Sequence, residues 1–232
     1  MAENGKKIDT IAIDGPAASG KTTIGQLLAV RLGYRMLDTG FMYRAATLAA
    51  LDAGVDIEDE TAVTHLARTI HLDVRDGAGH EDGRLYSALL NGRDVTWQLR
   101  DPAVARNVSA VSSYLGVRQA LVEKQRRFGE NGGVVMVGRD IGTVVFPDAR
   151  LKLYITATAQ ERARRRALDN QAQGHDSDFE AILADIKRRD AFDSQRKHSP
   201  LLPADDAVTI DSSNMTPAEI ITQIMRLLGD RV

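Results

Sequence analysis

The segment Gly15-Pro16-Ala17-Ala18-Ser19-Gly20-Lys21-Thr22 constrains this chain more than any other stretch, because it fits G-x-x-x-x-G-K-[ST]. Its surroundings give the match physical sense. Ile11-Ala12-Ile13 before it reads as a short buried strand, and Thr23–Leu32 after it carries apolar residues at helical spacing. A strand, a glycine loop and a helix N-terminus together cradle phosphate. The loop's N–H groups point inward, the helix dipole favours negative charge, and the lysine neutralises the β- and γ-phosphates. Gly15 through Thr22, together with Thr23, are therefore expected to hold the phosphates of a nucleotide. The Thr22 hydroxyl is expected in the shell of a metal ion. Lys21 is expected at the mouth of the helix, solvated rather than packed into a core.

The rest of the chain alternates strand and helix. Strands are predicted at Ile8–Asp14, Arg35–Asp38, Val134–Val137, Leu151–Thr156 and Ala207–Asp211. Helices are predicted at Lys21–Leu32, Phe41–Ala53, Thr61–Arg68, Ala103–Ser113, Val117–Phe128, Ala159–Asn170, Asp178–Arg189 and Pro217–Leu228. This rhythm argues for an α/β fold, a five-stranded parallel sheet with helices on both faces. Between about Thr69 and Thr96 the rhythm breaks. His71–Arg75, a Gly-rich turn at Asp76–Gly83, Arg84–Leu90 and the pair Asn91-Gly92 read as a small antiparallel unit, since Asn-Gly between strand-like runs marks a hairpin.

Bulk properties exclude several classes. A formal net charge of −2 supports neither a nucleic-acid polymer nor a membrane surface as partner. The chain has no cysteine, which removes disulfides, thiolate metal sites and cysteine nucleophiles and suits a reducing cytoplasm. No signal peptide or apolar membrane run is visible. None of the five histidines has a partner at ligand spacing, so no metal site built from side chains alone is expected.

Three segments beyond the glycine loop speak to an acceptor. Leu37–Arg44 follows the second strand, Val137–Ala149 the third, and Lys187–Arg196 ends an arginine-rich pair of helices that also holds Arg162, Arg164, Arg165 and Arg166. In an open parallel sheet, ligands bind beyond the C-terminal strand ends. Arg44, Arg139 and Arg196 are thus expected to converge as an anion-binding set for a phosphorylated acceptor. The helical pair, about residues 159–200, is expected to close as a lid over the donor phosphates, bringing arginines such as Arg162 to the transferred group.

The motifs I-D-G-P-A-A-S-G-K-T-T, L-D-T-G-F-M-Y-R, V-S-A-V-S-S-Y-L-G-V-R, G-R-D-I-G-T-V-V-F-P-D-A and R-R-D-A-F-D-S-Q-R, in this order, resemble those of the bacterial cytidylate kinases. The resemblance covers nearly the whole chain and implies transfer of the γ-phosphate of ATP to CMP or dCMP with Mg2+. It implies Arg44, Arg139 and Arg196 as ligands of the CMP phosphate, and Ser109, Arg118 and Asp140 as readers of cytosine. It further implies Arg189 and Asp193 as ribose contacts and Thr39 as a neighbour of the monophosphate. Lys21, Arg139, Arg162 and Arg196 are then the catalytic charges. The implied organisation is a P-loop kinase core over residues 1–68 and 107–232 with an inserted monophosphate-binding subdomain over 69–106. The chain is expected to act as a monomer in the cytoplasm. Family members often carry Ser where Thr39 stands, and the hydroxyl survives the exchange. The alternatives are another small-molecule P-loop kinase, of the UMP, shikimate or adenylate type, or a non-catalytic nucleotide-binding switch. The hairpin insert and the Gly138–Ala149 segment oppose the first, and the lack of an N-K-x-D tetrad opposes the second.

Overall fold

A computed structural model of the chain describes residues 10–76, 80–84, 86–172, 174 and 177–229. In chain order the first half holds β1 (Thr10–Asp14), α1 (Lys21–Leu32), β2 (Arg35–Asp38), α2 (Gly40–Asp52), α3 (Glu60–Thr69), β3 (Leu72–Asp76), β4 (Tyr86–Leu90), β5 (Arg93–Asp94), α4 (Pro102–Val111) and α5 (Leu115–Gly129). The second half holds β6 (Val134–Val137), a π-helical turn (Ile141–Val145), β7 (Leu151–Thr156), α6 (Ala159–Ala172), α7 (Phe179–Ser194), β8 (Val208–Asp211) and α8 (Pro217–Gly229). Three of the predicted strands have the predicted bounds. Of the first predicted strand, Ile8 and Asp9 lie outside the described residues, as do Gly77–Gly79 of the expected turn and Gln173, His175 and Asp176 of the link between α6 and α7.

The chain divides into two compact units. The first comprises residues through Met36 and those from Gly129 onward. Its sheet has the order β2-β6-β1-β7-β8. β1 pairs in parallel with β6 and with β7, and β7 in parallel with β8. Strand alternation sends Ile11, Ile13, Val135, Val137, Leu151, Leu153, Ile155 and Ile210 to one face, where they pack with Ile24 and Leu28 of α1 and Ile220 and Ile224 of α8. Gly25 lets α1 approach that face closely: a Cβ there would meet Val137 Cγ2 at 2.6 Å. The α8 start is a capping box, with Thr216 N–H donating to Glu219 Oε2 at 2.8 Å, the Glu219 N–H donating to Thr216 Oγ1 at 3.3 Å, and Pro217 in the first helical position. The central place of β1 matters most. The chain leaves β1 toward β2 and β6 and later returns to β7 and β8, so β1 flanks the point where the strand order reverses, and ligand sites form beyond its C-terminal end.

The second unit is Leu37–Phe128 and contains the span 69–106 in which the antiparallel insert was expected. Its sheet, β3-β4-β5, is antiparallel throughout. Asn91 and Gly92 close the β4–β5 hairpin with φ of 51° and 81°, the two positive values a tight primed turn requires. Arg84 braces the same sheet through Asp82 and Asp94, and Trp97 donates its indole N–H to Asp82 Oδ2 at 2.8 Å. Helix α3 starts on Asp59, which accepts the Ala62 N–H at 3.0 Å. Helix α7 runs five residues past its predicted end, because nothing from Asp190 to Ser194 breaks a helix, while Asp178 serves as its cap.

Candidate active site

In the first unit the glycine loop joins β1 to α1. Gly15 has φ of 145°, and a Cβ on it would fall 2.0 Å from the Ile155 carbonyl oxygen, so only glycine fits there. Gly20, at 87°, turns the chain into α1, and Ala18 sits at 57°. This nest of backbone N–H groups at a helix N-terminus is what a polyphosphate needs. Thr22 is half-buried and Thr23 exposed at the helix start.

Lys21 departs from expectation. Its residue is only 6 % exposed, because the loop wraps around the ammonium. Nζ donates to the Pro16 carbonyl at 2.5 Å and approaches Ser19 Oγ at 3.5 Å. A compact cation at the centre of its own loop lies where phosphate oxygens would be neutralised.

The walls of the loop are held from later elements. Ser212, just after β8, donates its hydroxyl to the Ser19 carbonyl at 3.1 Å, and Arg165 reaches Ser212 through Nη1 at 3.0 Å and Nη2 at 2.6 Å. Arg162 of α6 is buried. Its Nε donates to the Ala157 carbonyl at 2.9 Å, Nη1 to the Ala17 carbonyl at 3.2 Å, and both terminal nitrogens to Asp190 of α7.

Beyond the C-terminal end of β6 the chain runs through Gly138-Arg139-Asp140 into the π-helical turn. Asp140 is buried, and its carbonyl accepts from the N–H groups of both Val144 and Val145. Asp14, the last residue of β1, accepts the Ile141 N–H at 2.8 Å and the Gly142 N–H at 2.7 Å. Burial pushes the Asp14 carboxyl up to about 6, with Asp140 adding to the rise and the two amides and Lys21 opposing it.

Arg139, Asp193 and Arg196 stand together. Arg139 Nε donates to one oxygen of Asp193 at 2.9 Å, and Arg196 Nη2 donates to the other. Burial raises the Asp193 carboxyl, but the two guanidiniums outweigh it and hold the group below the usual range. The Arg196 guanidinium also lies 5.8 Å from the Phe192 ring centre. Arg189, implied with Asp193 as a ribose contact, pairs with Asp185 one turn back, Nε to Oδ2 at 2.8 Å.

The second unit carries the remaining candidates. Thr39 is buried at the start of α2, after Asp38, whose Oδ1 accepts the Gly40 N–H at 3.0 Å. Arg44 on α2 donates to the Leu99 carbonyl at 3.0 Å. Burial pushes the Tyr86 phenol well above its ordinary value, with Asp38 adding to the shift and Arg100 and Arg44 opposing it, which puts those four groups in one electrostatic neighbourhood. Arg118 on α5 is buried, with Nη1 on the Ser112 carbonyl at 3.0 Å and its guanidinium 5.3 Å from the Tyr43 ring centre. Ser109 lies half-buried in α4.

Asp14, Asp190 and Ser212 were not singled out from sequence. Asp14 had a readable signal: a carboxylate ending a buried central strand must find donors, and only the following strand ends can supply them.

Comparison with known proteins agrees with this geometry. A sequence profile of the family described as cytidylate kinase matches residues 11–230. Proteins named cytidylate kinase from Roseiflexus castenholzii and Herpetosiphon aurantiacus are each 47 % identical, over 95 % of this chain and 94 % of theirs. One from Geobacillus is 42 % identical over 96 % of this chain and 97 % of its own.

Proposed function

The chain belongs to the cytidylate kinase family, and we propose that it transfers the γ-phosphate of ATP to CMP or dCMP, releasing ADP and CDP or dCDP. The observation that carries this reading is a phosphate-binding loop built around Lys21 at the switch point of the sheet, in a chain matched by that family from residue 11 to 230.

The reaction asks little covalent chemistry of the protein. An oxygen of the acceptor's phosphate attacks the γ-phosphorus in line while the bond from that phosphorus to the β-bridging oxygen breaks, and ADP leaves. A phosphate oxygen is already ionised, so no general base is required. The protein's part is alignment and charge neutralisation. Gly15 and Ala17 through Thr22 hold the donor phosphates by their N–H groups, and Lys21 exchanges the Pro16 carbonyl for phosphate oxygens.

The resemblance gives Arg139, Arg196 and Arg44 the role of taking the acceptor phosphate. The Arg139–Asp193–Arg196 set supports this role, because two guanidiniums sharing one carboxylate retain further N–H donors for an incoming anion. Asp140, Ser109 and Arg118 read cytosine, Asp193 and Arg189 meet the ribose, and Thr39 lies by the monophosphate. Arg162 has four N–H groups committed to protein acceptors, so it serves by fixing Ala17 and Asp190.

Mg2+ fits the loop in a limited way. Among the described residues no group of three or more His, Cys, Asp or Glu forms a cage. The Thr22 hydroxyl would be the protein's ligand to a Mg2+ ion brought in with the nucleotide. When bound it supplies charge neutralisation across the donor phosphates.

The enzyme is proposed to work as a monomer. Its substrates are small nucleotides of the cytoplasmic pool. No described helix is long and apolar enough to cross a membrane. The test is a coupled ADP-release assay with ATP against CMP, dCMP, UMP, AMP, GMP and shikimate. Turnover led by CMP and dCMP is expected, and nucleotide binding without ADP release would overturn the reading.

A further inference from the structure

Asp14 immediately precedes the phosphate loop, yet both of its carboxylate oxygens are spent elsewhere. They accept the N–H groups of Ile141 and Gly142, two consecutive residues directly after Arg139 and Asp140. The packing is close: a Cβ on Gly142 would lie 3.4 Å from Asp14 Oδ2 and 3.2 Å from Lys152 Cδ. At the other end of the same turn, Val144 and Val145 donate to the Asp140 carbonyl. Asp140 is thus held at the root of a turn whose first two amides are gripped from β1.

We infer that Asp14 is a positioning residue for acceptor choice, holding the Arg139-Asp140 segment in register with the phosphate loop through the Ile141 and Gly142 amides. The inference rests on the reading above that Asp140 selects cytosine.

The arrangement is costly, which argues that its geometry matters. A carboxylate only 4 % exposed stands near a second buried carboxylate, Asp140. The other charged or titratable groups around it are Lys21, Tyr154 and Lys152, the last of which turns its ammonium to Asp206 at 2.8 Å. Two acceptor oxygens at fixed spacing are what a pair of adjacent N–H groups requires. An amide offers one acceptor and one donor, and leaves one N–H facing a donor.

The experiment compares kcat/KM for CMP and UMP in the full-length parent and in D14N. The CMP/UMP ratio is expected to fall at least about tenfold, through a higher KM for CMP, with KM for ATP within about twofold of the parent. In a D140A background D14N should lower the ratio no further. A merely structural role would reduce the active fraction and move both acceptors equally, so a D14N ratio within about twofold of the parent overturns the inference. Should D14N not fold, D14E keeps the charge but displaces both carboxylate oxygens by one methylene from the Ile141 and Gly142 amides and reads the same ratio, with the same outcomes. In the unaltered protein, the Ile141 and Gly142 amide resonances should titrate together with a midpoint near 6, and flat shifts would also overturn it. A parent inactive on CMP would refute the proposed function alone, leaving the amide titration to decide about Asp14.

Discussion

Arg162 and Asp190 form a two-pronged pair, Nη1 to Oδ1 at 3.0 Å and Nη2 to Oδ2 at 2.5 Å, which ties α6 to α7. Because Nη1 also donates to the Ala17 carbonyl, the strut reaches the phosphate loop. The Arg162 side chain is 5 % exposed, so removing its partner leaves a guanidinium stranded. Asp190→Asn should cost about 3 kcal/mol, the lower end for a broken buried pair, since Asp190 is partly exposed. It should raise KM for ATP more than KM for CMP, because Ala17 belongs to the donor loop. Arg162→Lys should do the same, as a single ammonium cannot span both oxygens and the carbonyl. Thermal melts and steady-state kinetics check both, and an unchanged KM for ATP would argue that the strut serves stability only.

Lys21→Ala should lower kcat at least ~100-fold, the scale expected when a preorganised charge at the transferring phosphoryl group is lost. Burial of Lys21 adds a second expectation. The Pro16 carbonyl loses its ammonium donor, so stability should drop by about 1 kcal/mol, the net worth of one hydrogen bond. Melting and single-turnover assays separate the two effects. Near-parental turnover would refute the assignment of the loop.

Much of this fold was legible because its signals are local. The β2, β6 and β7 segments are short apolar runs bounded by breakers, and Asn91-Gly92 declares its turn by the need for positive φ. The resemblance covered the loop, the insert and the acceptor segments, because those motifs lie contiguous in sequence. What escaped was long-range. Asp14 meets its partners 127 and 128 residues away, and Ser212 reaches Ser19 across 193. Neither spacing has a periodicity to read. Arg162 looked like a free lid cation because a run of arginines does not reveal which one finds a buried carboxylate on the next helix. Lys21 looked solvated because the pattern shows a helix start but not the loop closing over it.

The Asp14 carboxyl makes a signed prediction about stability and pH. Its folded value is raised from 3.8 to about 6. As pH rises from about 4, the unfolded chain releases this proton first while the folded chain keeps it until about 6. Over that window the folded state binds more protons, so this group's contribution to stability falls as pH rises. Two pH units at ~1.36 kcal/mol each give about 3 kcal/mol. D14N lacks the titration, whereas the other carboxylates are common to both proteins. The stability of D14N minus that of the parent should therefore climb between pH 4 and 6 and level off above. Denaturant melts at pH 4.5, 5.5 and 7 measure the difference, and a flat line would show that Asp14 ionises like a solvated acid.

Arg44 and Asp140 should fail in different ways when removed. Arg44 sits on α2, where Nη1 donates to the Leu99 carbonyl at 3.0 Å, and the role proposed for its guanidinium is to meet the phosphate, the part CMP and UMP share. Arg44→Ala should then lower kcat/KM for both acceptors by a similar factor, about 100-fold for a lost charge-assisted contact of ~2–3 kcal/mol. Asp140 meets what the two acceptors do not share. An ionised carboxylate is a pure acceptor, suited to the exocyclic amino group of cytosine, whereas uracil presents a carbonyl oxygen at that position. A site built on such a hydrogen bond rejects the mismatched ligand by at least ~100-fold, because its own buried group is left facing a lone pair. Asp140→Ala should lower kcat/KM for CMP far more than for UMP, bringing the two together. The four rates, two variants against two acceptors, are measured under one ATP concentration. If Arg44→Ala changed the CMP/UMP ratio and Asp140→Ala did not, the two roles would have to be exchanged, and base selection sought beside α2.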